Sequence, residues 1–92
     1  MTFQIHELKC WPEFFDAIED GDKTFEVRVN DRGFQKGDFV ILRRLEEIRS
    51  GCWKEECHYD LYYDLRRKIT YVLTGGQLGI EPGYVVLGLS RK

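Results

Sequence analysis

The spacing of hydrophobic and polar positions changes several times along this chain, and each change marks an element. Residues 3–9 set Phe3, Ile5 and Leu8 among Gln4, His6 and Glu7, a mixed pattern that reads as a first strand. Trp11, Phe14, Ala17 and Ile18 then fall at helical spacing, with Phe15 beside them. Pro12 suits the first turn of that helix, where its missing N–H costs nothing. Gly21 ends it. From residue 24 to 29 the period drops to two: Phe25, Val27 and Val29 alternate with Thr24, Glu26 and Arg28.

Asn30-Asp31-Arg32-Gly33 and Lys36-Gly37-Asp38 are turn chemistry, and Phe34 between them is expected to tuck inward. Residues 39–45 read as a third strand. Residues 69–74 and 84–89 are two further strands, separated by the glycine-rich loop 75–83. Residues 46–68 are the least legible: Ser50-Gly51 suggests a turn, and Leu61-Tyr62-Tyr63 fits a strand or a helical turn. Short strands, glycine-rich turns and one or two short helices predict an α+β fold built on a small closed or partly open β-barrel. The 92 residues form a single domain, 1–92. Phe14, Ile18, Phe25, Val27, Ile41, Val72 and Leu87 are the expected core.

Composition narrows the class. Hydrophobic content of 42% and aromatic content of 14% indicate a folded domain. No apolar run approaches a membrane span, and the N-terminus lacks the basic and apolar regions of a signal peptide, so the expected location is cytoplasmic, with no membrane partner. Three cysteines, an odd count, are expected as reduced thiols. A net charge of −2 argues against strong non-specific nucleic-acid binding by counterion release. The charge is uneven: residues 1–42 carry five bases and nine acids, residues 43–92 nine bases and seven acids. Such a distribution would orient an anionic partner.

The leading candidate site lies in Gly21-Asp22-Lys23-Thr24-Phe25-Glu26-Val27-Arg28. Glu26 and Arg28 project from one face of the strand, about 7 Å apart at ~3.3 Å rise per residue. Lys23 stands just before them, beyond the helix C-terminus, where the dipole favours a cation. A lysine in a partly dry cleft can serve as base or nucleophile, with Glu26 relaying protons. Without catalysis, Arg28 and Arg32 suit a phosphate or a base edge. The bland alternative is an ion pair of Glu26 with Lys23 or Arg28 that fixes the strand edge.

Three other stretches carry chemistry. Cys52, Cys57 and His58, with His6 or Cys10 as a fourth ligand, could hold zinc, but the spacing is unpaired and no metal or other cofactor is expected. Gly75-Gly76-Gln77-Leu78-Gly79 lacks the Gly-Lys-Ser/Thr ending of a phosphate loop and reads as a turn. Trp53, Tyr59, Tyr62 and Tyr63 lie near Arg66-Arg67-Lys68. With Arg43 and Arg44 these cations form a secondary nucleic-acid patch, and the aromatics could stack on bases.

Several of these motifs occur together in one known family. His6-Glu7-Leu8-Lys9, Trp11-Pro12, Phe14-Phe15, Ile18, Gly21 through Arg28 and Asn30-Asp31-Arg32 resemble the DUF3850 family, a branch of the ASCH group in the PUA-like superfamily. Phe34, Gly37-Asp38, Ile69-Thr70-Tyr71, Thr74-Gly75-Gly76, Gly79-Ile80 and Gly83 through Leu89 match as well. The resemblance covers about 5–45 and 69–89, while 46–68 depart from the family pattern. It implies a PUA-like (ASCH-type) β-barrel with a cleft beside the first helix, and a setting among phages and mobile elements. Such proteins commonly bind RNA or modified nucleobases. Some ASCH relatives hydrolyse acetylated cytidine with a lysine, a threonine three residues on, and a distant glutamate. Lys23 matches that lysine, but Glu26 stands at the threonine position.

The reading is therefore a cytoplasmic, phage-related, PUA-like domain that binds RNA or a nucleotide-like ligand through Lys23, Glu26, Arg28 and Arg32. One rival is an ASCH-type hydrolase or nuclease acting on a modified nucleoside or RNA, with Lys23 and Glu26 as catalytic candidates. The other is a phage-encoded inhibitor with a protein partner, using the acidic helix or residues 46–68.

Overall fold

The computed structural model describes residues 2–45 and 59–91, with the backbone alone for 59–63. In chain order the elements are β1 (Ile5–Cys10), α1 (Pro12–Glu19), β2 (Phe25–Val29), β3 (Phe39–Leu45), β4 (Tyr59–Thr74) and β5 (Tyr84–Leu89). The five strands form one sheet in the order β1-β3-β4-β5-β2. β1 runs parallel to β3, and every other neighbouring pair is antiparallel. The sheet curls into a half-barrel, with β1 and β2 as its two edges.

The 16-residue strand β4 is shared by the two halves of the sheet. Its first part pairs with β3, up to Lys68 opposite Phe39. Its second part pairs with β5, and the register shifts between Ile69 and Tyr71. The expected strand 69–74 is thus the distal end of a longer one, and Leu61-Tyr62-Tyr63 belong to a strand.

Local chemistry starts and stops α1 as the sequence indicates. Pro12 occupies its first turn, and the Phe15 N–H donates to the Trp11 carbonyl at 2.9 Å. At the other end the Gly21 N–H donates to the Ile18 carbonyl and the Asp22 N–H to the Ala17 carbonyl. With Gly21 at φ 86° this is a Schellman motif, a left-handed cap that glycine adopts without a Cβ clash. The Lys23 N–H also donates to the Ala17 carbonyl, at 3.0 Å, so the cap fixes where Lys23 leaves the helix.

The core gathers Phe15 and Ile18 of α1, Leu8 and Cys10 of β1, Val40 and Leu42 of β3, Ile69 of β4, and Val85, Leu87 and Leu89 of β5, with Phe34 between strands. Ile18 and Leu87 are buried as expected, and Val72 packs against the cluster while partly exposed. Ile41 is only half-buried. Three more expected core residues are exposed: Phe14, Phe25 and Val27 at 42%, 44% and 49%. Phe14 lies on the flank of the apolar arc of α1, and Phe15 takes the inward position. In β2 the alternation is as predicted but its faces are reversed. Glu26 points inward and is 5% exposed, while Phe25, Val27 and Val29 face out.

His6 also points inward. Its Nε2 lies 2.9 Å from Oδ2 of Asp38, and its ring stands edge-on to Phe34 with centroids 4.6 Å apart. Asp38 further accepts the backbone N–H groups of Gln4 and Gln35, so this buried polar pair is satisfied.

Candidate functional site

The reversed strand β2 creates the site. A carboxylate buried like Glu26 is costly unless cations and hydrogen bonds meet it. Both of its oxygens are met: Lys23 Nζ lies 2.9 Å from Oε1 and Arg28 Nη1 2.8 Å from Oε2. Lys23 also donates to the Phe25 carbonyl at 2.9 Å. Its ammonium sits 5.0 Å and 4.9 Å from the ring centroids of Phe14 and Phe25, within cation–π range. These are the contacts of a charged ammonium.

The two arginines reach across to the other edge of the sheet. Arg28 Nη1 donates to the Lys9 carbonyl at 3.1 Å, and Arg32 Nη1 to the Glu7 carbonyl at 2.8 Å. Glu7 and Lys9 are two apart on β1, so their carbonyls point the same way, toward the edge that no described strand covers. The guanidinium groups supply donors there that a neighbouring strand would otherwise supply. Arg32 Nε also lies 3.4 Å from Oδ1 of Asp31.

Between β2, α1 and β1 lies a cleft of about 710 Å³. Lys23, Glu26, Arg28 and Arg32 all line it, so the structure brings the four sequence-selected residues together. Trp11, Phe14 and Tyr84 share its wall. No sequence signal pointed to Tyr84 here, because only the curl of the sheet carries β5 to this side. Cys10 also lines the cleft. Burial, reinforced by the Glu26 charge, pushes its thiol up to about 12 and keeps it protonated at neutral pH. The arrangement offers a net positive trio (Lys23, Glu26, Arg28), a carboxylate acceptor and aromatic faces.

Of the secondary basic patch, Arg43, Arg66 and Lys68 share one face of β3 and β4, and Arg44 turns away from it toward α1. Arg43 and Arg44 are successive on β3 and diverge. Arg43 pairs with Glu7 at 3.1 Å and Asp64 at 3.7 Å, whereas Arg44 holds Asp16 of α1 through Nε and Nη2 at 3.0 and 3.2 Å. The Arg44 hydrogen bond draws the Asp16 carboxyl below its ordinary range. Arg66 and Lys68 are exposed on β4, and Arg67 donates to the Arg66 carbonyl. The cysteine–histidine stretch of Cys52, Cys57 and His58, Trp53, and the side chains of Tyr59, Tyr62 and Tyr63 lie outside the described residues. Among the described residues no group of three or more His, Cys, Asp or Glu is placed to hold a metal ion.

The profile described as "Domain of unknown function (DUF3850)" matches residues 5–89, from the first residue of β1 to the last of β5. The chain belongs to this family. A curated relative of this DUF3850 protein is an "Uncharacterized 12.9 kDa protein in GpA 3'region" of Escherichia phage P2, 40% identical over 42 residues. That stretch is 46% of this chain and 38% of the phage protein, so the match spans well under two thirds of the relative. No described helix of the DUF3850 chain is long and apolar enough to cross a membrane.

Proposed function

We propose that this DUF3850 domain binds single-stranded RNA or a nucleotide-like ligand in the cleft between β2, α1 and β1, and that it does so in the cytoplasm. The observation that carries the reading is the buried Glu26 carboxylate held between Lys23 and Arg28 in a cleft whose wall includes Trp11, Phe14 and Tyr84. Cations can meet a phosphate, a carboxylate can accept from a base edge, and aromatic rings can stack on a base. The resemblance to PUA-like and ASCH proteins supports the same ligand class. A hydrolase of a modified nucleoside is the rival. It fits less well, because Glu26 stands where those relatives have threonine and the Lys23 ammonium is already held by Glu26 and the Phe25 carbonyl.

The test is a titration with single-stranded RNA, duplex RNA, DNA and modified nucleosides at two salt concentrations. Lys23→Ala and Arg32→Ala are measured beside the wild type, with circular dichroism as the folding control. Each lost charge-assisted contact should weaken binding by about 1.5–3 kcal/mol. Equal binding by all three proteins removes the cleft as the site. Turnover of a modified nucleoside that Lys23→Ala abolishes would favour the hydrolase.

A further inference from the structure

The reversal that buries Glu26 also turns an apolar face outward. Register places Phe25 beside Gly88 and Tyr71, Val27 beside Val86 and Leu73, and Val29 beside Tyr84. These eight positions of β2, β5 and β4 form one outer sheet face with no charged residue among them. Phe25, Val27, Val29, Tyr71 and Tyr84 are between 39% and 64% exposed.

Beside this face stands an apolar projection. The loop after β4 is tied by Gly76 N–H to the Ile80 carbonyl at 2.7 Å and Ile80 N–H to the Gln77 carbonyl at 2.8 Å. At its tip Leu78 is 82% exposed. Leu78 has φ 52°, which makes it the described non-glycine residue in the left-handed region. A branched apolar residue in that conformation is strained, and at 82% exposure little packing among the described residues offsets the strain. Next to this knob is a hole: a hollow of about 310 Å³ lined by Val27, Ile80 and Tyr84, with Glu81 in its lining.

We propose that this face is the interface of a two-fold homodimer, in which Leu78 of each copy seats in the Val27–Ile80–Tyr84 hollow of the other. A knob and a hole of matching chemistry on one surface are what an isologous contact requires, since each residue pair then occurs twice. The area agrees. With aromatic side chains of about 150–250 Å² each, the face and Leu78 present on the order of 500 Å² of apolar surface, high in the range for a monomer. Two such faces opposed bury about 1,000 Å², the size at which specific interfaces begin. Phe25, Val27, Val29 and Tyr84 also line the ligand cleft, so the interface would border both clefts.

Sedimentation velocity on the full chain over a wide concentration range tests this, with Leu78→Glu and Tyr71→Lys as surface variants checked for folding by circular dichroism. The wild type should show a concentration-dependent dimer, and each variant should raise its dissociation constant about tenfold or more. A wild type that stays monomeric at its highest soluble concentration overturns the proposal and leaves the face to a different protein. A dimer that both variants leave unchanged overturns it too, because its interface then lies elsewhere.

Discussion

Glu26 and Arg28 stand two residues apart on β2 and are bridged at 2.8 Å, and the same Arg28 nitrogen is bound to the Lys9 carbonyl on the opposite edge of the sheet. One guanidinium therefore neutralises a buried charge and ties β2 to β1. Lys23 does only the first of these across the cleft.

Replacing Arg28 should accordingly cost more than replacing Lys23. Arg28→Ala should lower stability by about 1–3 kcal/mol, since it leaves the buried Glu26 carboxylate with Lys23 as its cation and removes the tie from β2 to β1. Lys23→Ala should cost less. Urea unfolding of both variants checks the order, and equal losses would mean that the contact to β1 contributes nothing.

The two faces of α1 should separate in the same measurement. Ile18→Ala removes a 3% exposed side chain and should destabilise by about 2–5 kcal/mol through the cavity it leaves. Phe14→Ala touches a side chain that is 42% exposed, so its loss should be well below that of Ile18→Ala and should fall instead on ligand binding. A Phe14→Ala loss as large as that of Ile18→Ala would place Phe14 in the core after all.

Acid should weaken the fold through Asp38. Burial alone would raise this carboxyl, but the hydrogen bonds from His6 and from the Gln4 and Gln35 N–H groups outweigh it and hold the group below its ordinary value of 3.8. A carboxyl depressed in the folded state contributes stability that is present above the unfolded value and lost as pH falls through the folded one. The loss should therefore develop below pH 3.8 and should be reduced in Asp38→Asn, which is less stable at neutral pH. Parallel pH–stability curves for wild type and variant would contradict this.

Gly75 should not tolerate a side chain. A Cβ there would run into the backbone carbonyl oxygens of Glu81 and Tyr84, which are not free to swing aside. Gly75→Ala should cost about 1–3 kcal/mol by overpacking. A melting temperature equal to that of the wild type would show that the 75–83 loop yields instead.

Much of this fold is legible in the chain because its signals are local. Pro12 and Gly21 delimit the helix, alternation marks β2, and apolar runs bounded by turn residues mark β3 and β5, within a residue or so. The facing of β2 is not local. Alternation says that Phe25, Val27 and Val29 share a side, but whether that side is inward depends on where Lys23 and Arg28 come to rest against Glu26. The grouping of Lys23, Glu26, Arg28 and Arg32 was visible as a run of short separations. The Glu7 and Lys9 carbonyls were not, because backbone acceptors have no sequence signature and are brought opposite the arginines only by the parallel pairing of β1 with β3. The same holds for Tyr84, and for Arg43 and Arg44, whose neighbours in sequence suggested a patch and whose carboxylate partners lie on other elements.

The register shift between Ile69 and Tyr71 has a mechanical meaning. There β4 passes from its pairing with β3 to its pairing with β5, so it is the one joint between the half-sheet that carries β1 and the half-sheet that carries β2. The cleft lies between those two outer strands, each at the far end of an arm that starts at this joint. The arms meet again at their far ends, where Arg28 and Arg32 donate to the Lys9 and Glu7 carbonyls, so the ring of strands has one seam of backbone pairing and one of side-chain hydrogen bonds.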